Sequence, residues 1–223
     1  MSSPIAQRII AEHLLRIGAI EFLIDNPLRL KSGLISPIYV DNRKLISQPN
    51  AWHDVIETLG SKIEQYGLKF DMIAGVETAG IPHCSALAYR LRLPTLFVRR
   101  QAKTHGDKSR IEGADVSGKH VLLIEDHIST GQSTLDAVTA LKEQGATVTD
   151  CLSLTTFDLE DTRQLFKDSG VTFHALLPFS EILNVAVQDR IISSEQKNII
   201  QEWLNDPWPW AARYGHLPTD REN

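Results

Sequence analysis

Glu125 and Asp126 stand side by side, and behind them come His127, Ile128, then Ser129, Thr130, Gly131, Gln132, Ser133 and Thr134, small hydroxyls around one glycine. Such a run at the mouth of a helix suits a phosphate. Unpaired backbone N–H groups and the positive end of the helix dipole face the anion, and glycine lets the backbone come close. Two carboxylates would repel a phosphate on its own. They make sense where the ligand also carries vicinal hydroxyls, or a magnesium ion, for which carboxylates are good partners. A helix cap beside two solvated acids is the plainer alternative that the motif alone leaves open. The flanking elements are legible. Val121, Leu122, Leu123 and Ile124 predict a strand buried on both faces that stops at the acids. Leu135, Val138 and Leu141 fall at helical spacing.

Two further stretches carry chemistry. Residues 99–110 hold five Lys/Arg against the single acid Asp107, a local +4 within a chain of net −5. The overall balance argues against general nucleic-acid binding, which needs a basic surface, and points to a small polyanionic ligand. Between Arg99 and His120 the only large apolar residues are Ile111 and Val116, so the stretch cannot bury itself. Arg99, Arg100, Lys103 and His105 on such a loop could close over a pyrophosphate and exclude water; a solvated basic loop is the alternative. Glu77-Thr78-Ala79-Gly80 lies between an apolar strand over residues 72–76 and a helix expected to open at Pro82. The backbone amides of that junction suit a second phosphate oxygen.

With 223 residues, 42% of them hydrophobic, the chain can bury one large core with a small appendage. Cys84 and Cys151 lie in no C-x-x-C pattern and predict reduced, buried thiols and a cytoplasmic protein. The N-terminal residues lack a basic start and apolar h-region, and no apolar run reaches membrane-spanning length, so neither targeting nor membrane contact is expected. The periodicity predicts a helix over residues 5–17 ended by Gly18, and a strand over 19–24. A β-hairpin around Ser32-Gly33 follows over 28–42 with Lys31 before its turn, then a helix over 49–66 stopped by Gly67. Strands follow at 95–98, 148–154 and 171–177. Asp158 is expected to cap a helix through Leu165, and Ser180 and Ser194 to cap two C-terminal helices. Trp203, Trp208 and Trp210 are expected to pack. The alternation over 72–177 predicts an α/β fold, a parallel central sheet flanked by helices with ligand loops at the strands' C-terminal ends. Residues 1–45 are expected to form an N-terminal hood, and 46–223 the α/β core with C-terminal helices.

Three motifs in this order resemble the orotate phosphoribosyltransferases among the type I phosphoribosyltransferases. They are Glu-Asp-His-Ile-Ser-Thr-Gly from Glu125, Lys-Ser-Gly from Lys31 followed by Ser-Pro, Tyr and Asp-Asn-Arg, and Arg-Arg-Gln-Ala-Lys-Thr-His-Gly from Arg99. The resemblance runs from about Leu28 to the end of the sheet. It implies magnesium-dependent transfer of phosphoribose from phosphoribosyl pyrophosphate (PRPP) to orotate, giving orotidine 5'-monophosphate and pyrophosphate in UMP biosynthesis. It assigns catalysis to Lys103, His105 and Asp126. PRPP falls to Lys31, Thr78, Ala79, Gly80, Arg99, Arg100, Lys103, His105, Glu125, Asp126, His127, Ile128, Ser129, Thr130, Gly131, Gln132 and Ser133. Orotate falls to Lys31, Ser129 and Phe157. Magnesium is implied to be held mainly by PRPP, near Asp126, and the partner to be a second copy, a homodimer whose basic loops are shared between subunits. Asp41, Asn42 and Arg43 are implied to be structural or interface residues.

The sequence departs from the family in three places. Ala79 stands where some members have lysine, Arg100 where lysine is common, and His127 where an aliphatic residue is usual and reads as a packing variant. At the strand end of Thr155-Thr156 some members carry an arginine that recognises the orotate carboxylate and others a Thr-Tyr type of sequence, and this chain matches the second kind. Base recognition therefore stays open between orotate and another nucleobase, and a non-catalytic PRPP-binding regulator remains the alternative of a different class.

Overall fold

The computed structural model describes residues 4–101 and 109–215. Ile10, Ala11 and Leu14 form the buried face of the first helix, α1 (Pro4–Arg16). Behind it come four short strands, β1 (Ile20–Phe22), β2 (Leu28–Arg29), β3 (Ile35–Ser36) and β4 (Ile38–Val40). The expected hairpin forms between β2 and β3, with Gly33 at φ 87 in its turn. Beyond it the chain switches partners, because Pro37 breaks the ladder and β4 returns to pair antiparallel with β1. A 3-10 helix (Asn42–Ser47) leads into α2 (Pro49–Tyr66), which ends at Gly67 in the left-handed conformation.

The central sheet has six strands. They are β5 (Met72–Val76), β6 (Thr95–Val98), β7 (Ile111–Glu112), β8 (Val121–Ile128), β9 (Asp150–Thr156) and β10 (Thr172–Pro178), in the spatial order β10-β9-β8-β5-β6-β7. All neighbours are parallel except β7, an antiparallel edge strand against β6. Successive residues face opposite layers. Ile73, Leu122, Ile124, Leu152 and Leu154 pack with α1, α2, and the helices α3 (Gly80–Leu91), α6 (Phe179–Gln188) and α7 (Ser194–Asn205). Ala74, Leu123 and Cys151 join the opposite cluster under α4 (Gln132–Glu143) and α5 (Glu160–Ser169). The chain therefore has the α/β fold with a mostly parallel sheet between helical layers. α8 (Pro207–Arg213) closes the described part, Trp203 ties α7 to β3 through a 2.7 Å bond to the Ile35 carbonyl, and both cysteines are buried free thiols. No helix among the described residues is long and apolar enough to cross a membrane.

Several local expectations are corrected. β8 does not stop at the acids but runs through them to Ile128, because pairing with β9 continues at His127 with Thr155 and at Ile128 with Thr156. Backbone pairing is indifferent to the charge on side chains that alternate away from it. α3 begins at Gly80 rather than Pro82; the proline then sits within the first turn, where N–H groups have no helical partner anyway. Asp158 caps nothing. It adopts φ 57 and gives both carboxylate oxygens to Arg163, while Leu159 is the residue at the helix mouth. Ser180 lies inside α6, which starts after Pro178, and the capping box of α7 is formed by Ser193 with Gln196, one residue before Ser194. Trp203 and Trp210 are fully buried, but Trp208 is exposed, its indole N–H donating to Asp161. β7 interrupts the long polar stretch, and Ile111 is the apolar residue that pays for it.

Candidate active site

The acid pair is part of a strand, and its surroundings follow from that. Glu125 points toward α4, almost fully buried, with Asp126 N–H donating to its Oε1 at 3.0 Å and Thr134 Oγ1 to its Oε2 at 3.5 Å. Asp126 is half-buried on the next position. Burial pushes Glu125 well above the usual carboxylate range, and the neighbouring Asp126 charge adds to this, with the Arg100 charge opposing. Burial raises Asp126 as well, against hydrogen bonds from Glu125 and the backbone and the charge of Arg43. Two poorly solvated carboxyls side by side favour a ligand that brings hydroxyl donors or a cation to them.

Beyond the pair the chain turns into α4, whose N-terminus carries no side-chain cap. Gly131 sits at φ 80, and a Cβ there would lie 2.8 Å from the Phe166 ring, so both conformation and space require glycine. The loop is pinned from beneath: Thr156 Oγ1 donates to the Ile128 carbonyl at 3.0 Å and Thr162 Oγ1 to the Ser129 carbonyl at 2.8 Å. Ser129 Oγ is buried with no partner among the described residues, as is His127 Nε2. A cavity of about 630 Å³ opens between this loop and the hairpin turn, lined by residues 127–134 together with Lys31, Ser32, Arg100 and Asp136. A second cavity of about 630 Å³ beside Phe166 and Phe173 has Arg163 on its wall, already held by Asp158 and Glu160. It lacks the hydroxyl-lined run 129–134 that follows the acid pair, so the first is the candidate site.

A second junction joins β5 to α3 against the first. Gly80 packs under β8 so closely that a Cβ would come 2.8 Å from the Ile124 carbonyl and 3.5 Å from Glu125 Oε1. Thr78 is exposed, the Glu77–Thr78 peptide is cis, and Glu77 accepts from the Arg100 N–H at 2.8 Å. The ends of the basic stretch are clamped: Arg99 N–H donates to the Arg110 carbonyl and Arg110 Nε to the Arg99 carbonyl, each at 2.8 Å. Arg110 also pairs with Asp136.

A family model of the phosphoribosyl transferase domain matches residues 42–175. Orotate phosphoribosyltransferase of Coxiella burnetii is 43% identical over 201 residues, covering 90% of this chain and 96% of that protein. The chain belongs to the orotate phosphoribosyltransferase family. Among solved structures, orotate phosphoribosyltransferase from Aeropyrum pernix superposes with a TM-score of 0.69 at 28% identity, over 78% of this chain and 96% of that one. Leishmania donovani UMP synthase superposes with a TM-score of 0.76 at 28% identity, over 87% of this chain but 41% of that one. As an orotate phosphoribosyltransferase family member, the chain is a pentosyltransferase enzyme.

The residues that the family resemblance singles out are distributed unevenly. Lys31, Arg100, His127, Ile128, Ser129, Thr130, Gly131, Gln132 and Ser133 line one cavity. Glu125, Asp126 and Gly80 stand together at the junction beside it, with Thr78 and Ala79 on the adjoining turn. Arg99 is instead paired with Glu112 at 3.4 Å, away from the cavity wall. Phe157 is buried between His127, Phe179 and Trp203. Lys103 and His105 lie outside the described residues. His127 is held by Thr155 and Phe157, and burial lowers it to about 3, leaving a neutral imidazole. Thr162 and Asp136 were not singled out by sequence reasoning, and Thr155 and Thr156 were read only for base recognition, not as supports of the loop. Among the described residues no three His, Cys, Asp or Glu side chains gather into a metal cage. The donor set fits a magnesium ion carried mainly by a ligand's own oxygens, with one or two carboxylates completing it.

Proposed function

We propose that this enzyme transfers the phosphoribosyl group of PRPP to orotate, giving orotidine 5'-monophosphate and pyrophosphate. The C1'–O bond to pyrophosphate breaks with oxocarbenium character and the bond from C1' to the orotate ring nitrogen forms. The chain's task is to hold both partners and stabilise charge where it develops. Ser129 to Ser133 and the N-terminal amides of α4 grip the 5'-phosphate. Asp126, with Glu125 behind it, accepts hydrogen bonds from the ribose hydroxyls and favours the cationic ring. Lys103, with Arg100 and His105, receives the pyrophosphate charge, and the amides of residues 78–80 receive one of its oxygens. A magnesium ion would be held mainly by the oxygens of PRPP, with Asp126 as the residue here that would complete its ligands, and would supply further neutralisation of the leaving group. Lys31 and Ser129 face the base. The active form is a cytoplasmic homodimer in which the basic loop of one subunit serves the site of the other.

The observation that carries this reading is the coincidence, at one strand end, of an acid pair, Glu125 buried and Asp126 half-buried, with an uncapped, hydroxyl-lined helix mouth that opens on the adjoining cavity. The test is orotate consumption in the presence of PRPP and magnesium. Turnover that stops when either PRPP or magnesium is withheld supports it; no loss of orotate, or turnover of a purine or uracil in its place, overturns it. Mixing two inactive variants, Lys103→Ala and Asp126→Ala, is expected to restore part of the activity, and a dimer that never complements contradicts the shared site.

A further inference from the structure

Beyond Ile124 strand β8 has no partner on its β5 side, since that ladder ends at Gly75 with Ile124. The Asp126 carbonyl, which falls past this point, accepts instead from Asn42 and, at the longer distance of 3.4 Å, from Thr155 Oγ1. Asn42, the fully buried first residue of the 3-10 helix, donates one amide hydrogen to the Asp126 carbonyl at 2.8 Å and the other to Thr155 Oγ1 at 2.7 Å. Thr155 in turn meets His127 Nδ1 at 2.9 Å. Both hydrogens of the amide are committed, one to each of two adjacent strands. We infer that Asn42, with Thr155 as its anchor on β9, is a positioning residue that fixes the peptide plane following Asp126 and thereby aims the Asp126 carboxylate. This rests on the role proposed for Asp126. The physical reason is direct: a peptide that rotates about its neighbours shifts the side chain of the preceding Cα, and a part-buried carbonyl that loses its shorter donor rotates to improve its remaining bond. The N-terminal segment, which carries Lys31, is thus hydrogen-bonded to the backbone of the acid pair.

The test is a double-mutant cycle read as kcat/KM for PRPP, with thermal unfolding followed alongside. Asn42→Ala is expected to lower kcat/KM about thirtyfold, as befits a part-buried carbonyl left with only the long bond from Thr155 Oγ1. In an Asp126→Asn background the same change should cost about threefold or less, because the carboxylate it aims is gone. A residue that merely stabilises the fold would lower the melting temperature and multiply the loss equally in both backgrounds. Thr155→Val keeps shape and removes the hydroxyl; it should lower kcat/KM about tenfold while Thr155→Ser restores it, which decides the matter even if Asn42→Ala does not fold. Equal losses in the two backgrounds, or Thr155→Val with wild-type kcat/KM, overturn the inference. If Asp126→Asn itself leaves kcat/KM unchanged, the proposed role of Asp126 fails as well, so the two failures are distinguishable.

Discussion

The two strand–loop–helix junctions share a geometry and differ in what they present. At the β8–α4 junction side chains do the presenting: two carboxyls, Ser129, Thr130 and Ser133, held by threonines from β9 and α5. At the β5–α3 junction the turn offers little but backbone, with Thr78 exposed and Gly80 pressed under β8. A site of the first kind is specific and vulnerable to single side-chain changes. One of the second kind tolerates them wherever the backbone is undisturbed and fails where a Cβ intrudes.

Four substitutions can break or sharpen that contrast. Asp126→Asn preserves shape and is expected to lower kcat/KM for PRPP by about 10²- to 10³-fold, the scale of a lost electrostatic partner at a reacting centre. Gly80→Ala pushes a Cβ against the Ile124 carbonyl, backbone that cannot give way as a side chain would. A loss of about 1–3 kcal/mol in chemical denaturation, with impaired PRPP binding, is expected. A wild-type unfolding midpoint would show that the junctions are not locked together.

Glu125→Gln acts through protonation. Burial raises Glu125 above its ordinary 4.5, so the native state binds the proton more tightly than the unfolded chain does. The contribution of Glu125 to the stability of the ligand-free protein therefore falls as pH rises from about 4.5 through the raised value, while the buried His83 and His127, whose pKa burial lowers, act in the opposite direction. The Glu125 part is isolated by difference: the melting temperature of the wild type relative to the glutamine variant should fall as pH rises. A difference that does not change with pH would contradict the burial account. Thr78→Ala is the smallest change. An exposed side chain at a backbone-only junction should alter stability by no more than about 0.5 kcal/mol and PRPP affinity hardly at all. A large rise in KM would give that hydroxyl a role and dissolve the contrast.

The sheet was legible because its apolar runs are short and β-branched and helices alternate with them; α2 matches its predicted limits at both ends because Pro49 and Gly67 punctuate it. What periodicity could not show was set by partners distant in sequence. β8 runs on through two acids because β9 offers Thr155 and Thr156. The start of α3 at Gly80 depends on a close approach to Ile124. Asp158 reads as a cap by residue type, yet Arg163 claims it. In the site, the cavity-lining run was visible as a motif, whereas the role of Asn42 was not, since nothing local in Asp-Asn-Arg reveals an amide reaching Asp126 across 84 positions.

On the proposed reading, Glu125 and Asp126, because they belong to a hydrogen-bonded strand and not to a pliable loop, would act as a fixed gauge for whatever sugar is offered. A loop could shift to satisfy itself against an altered ring; a strand laced to β9 and to Asn42 has no such freedom. On the proposed reading, a donor lacking one ring hydroxyl would leave a buried carboxyl unmet, so the fold itself would sort ribose from deoxyribose before any chemistry began.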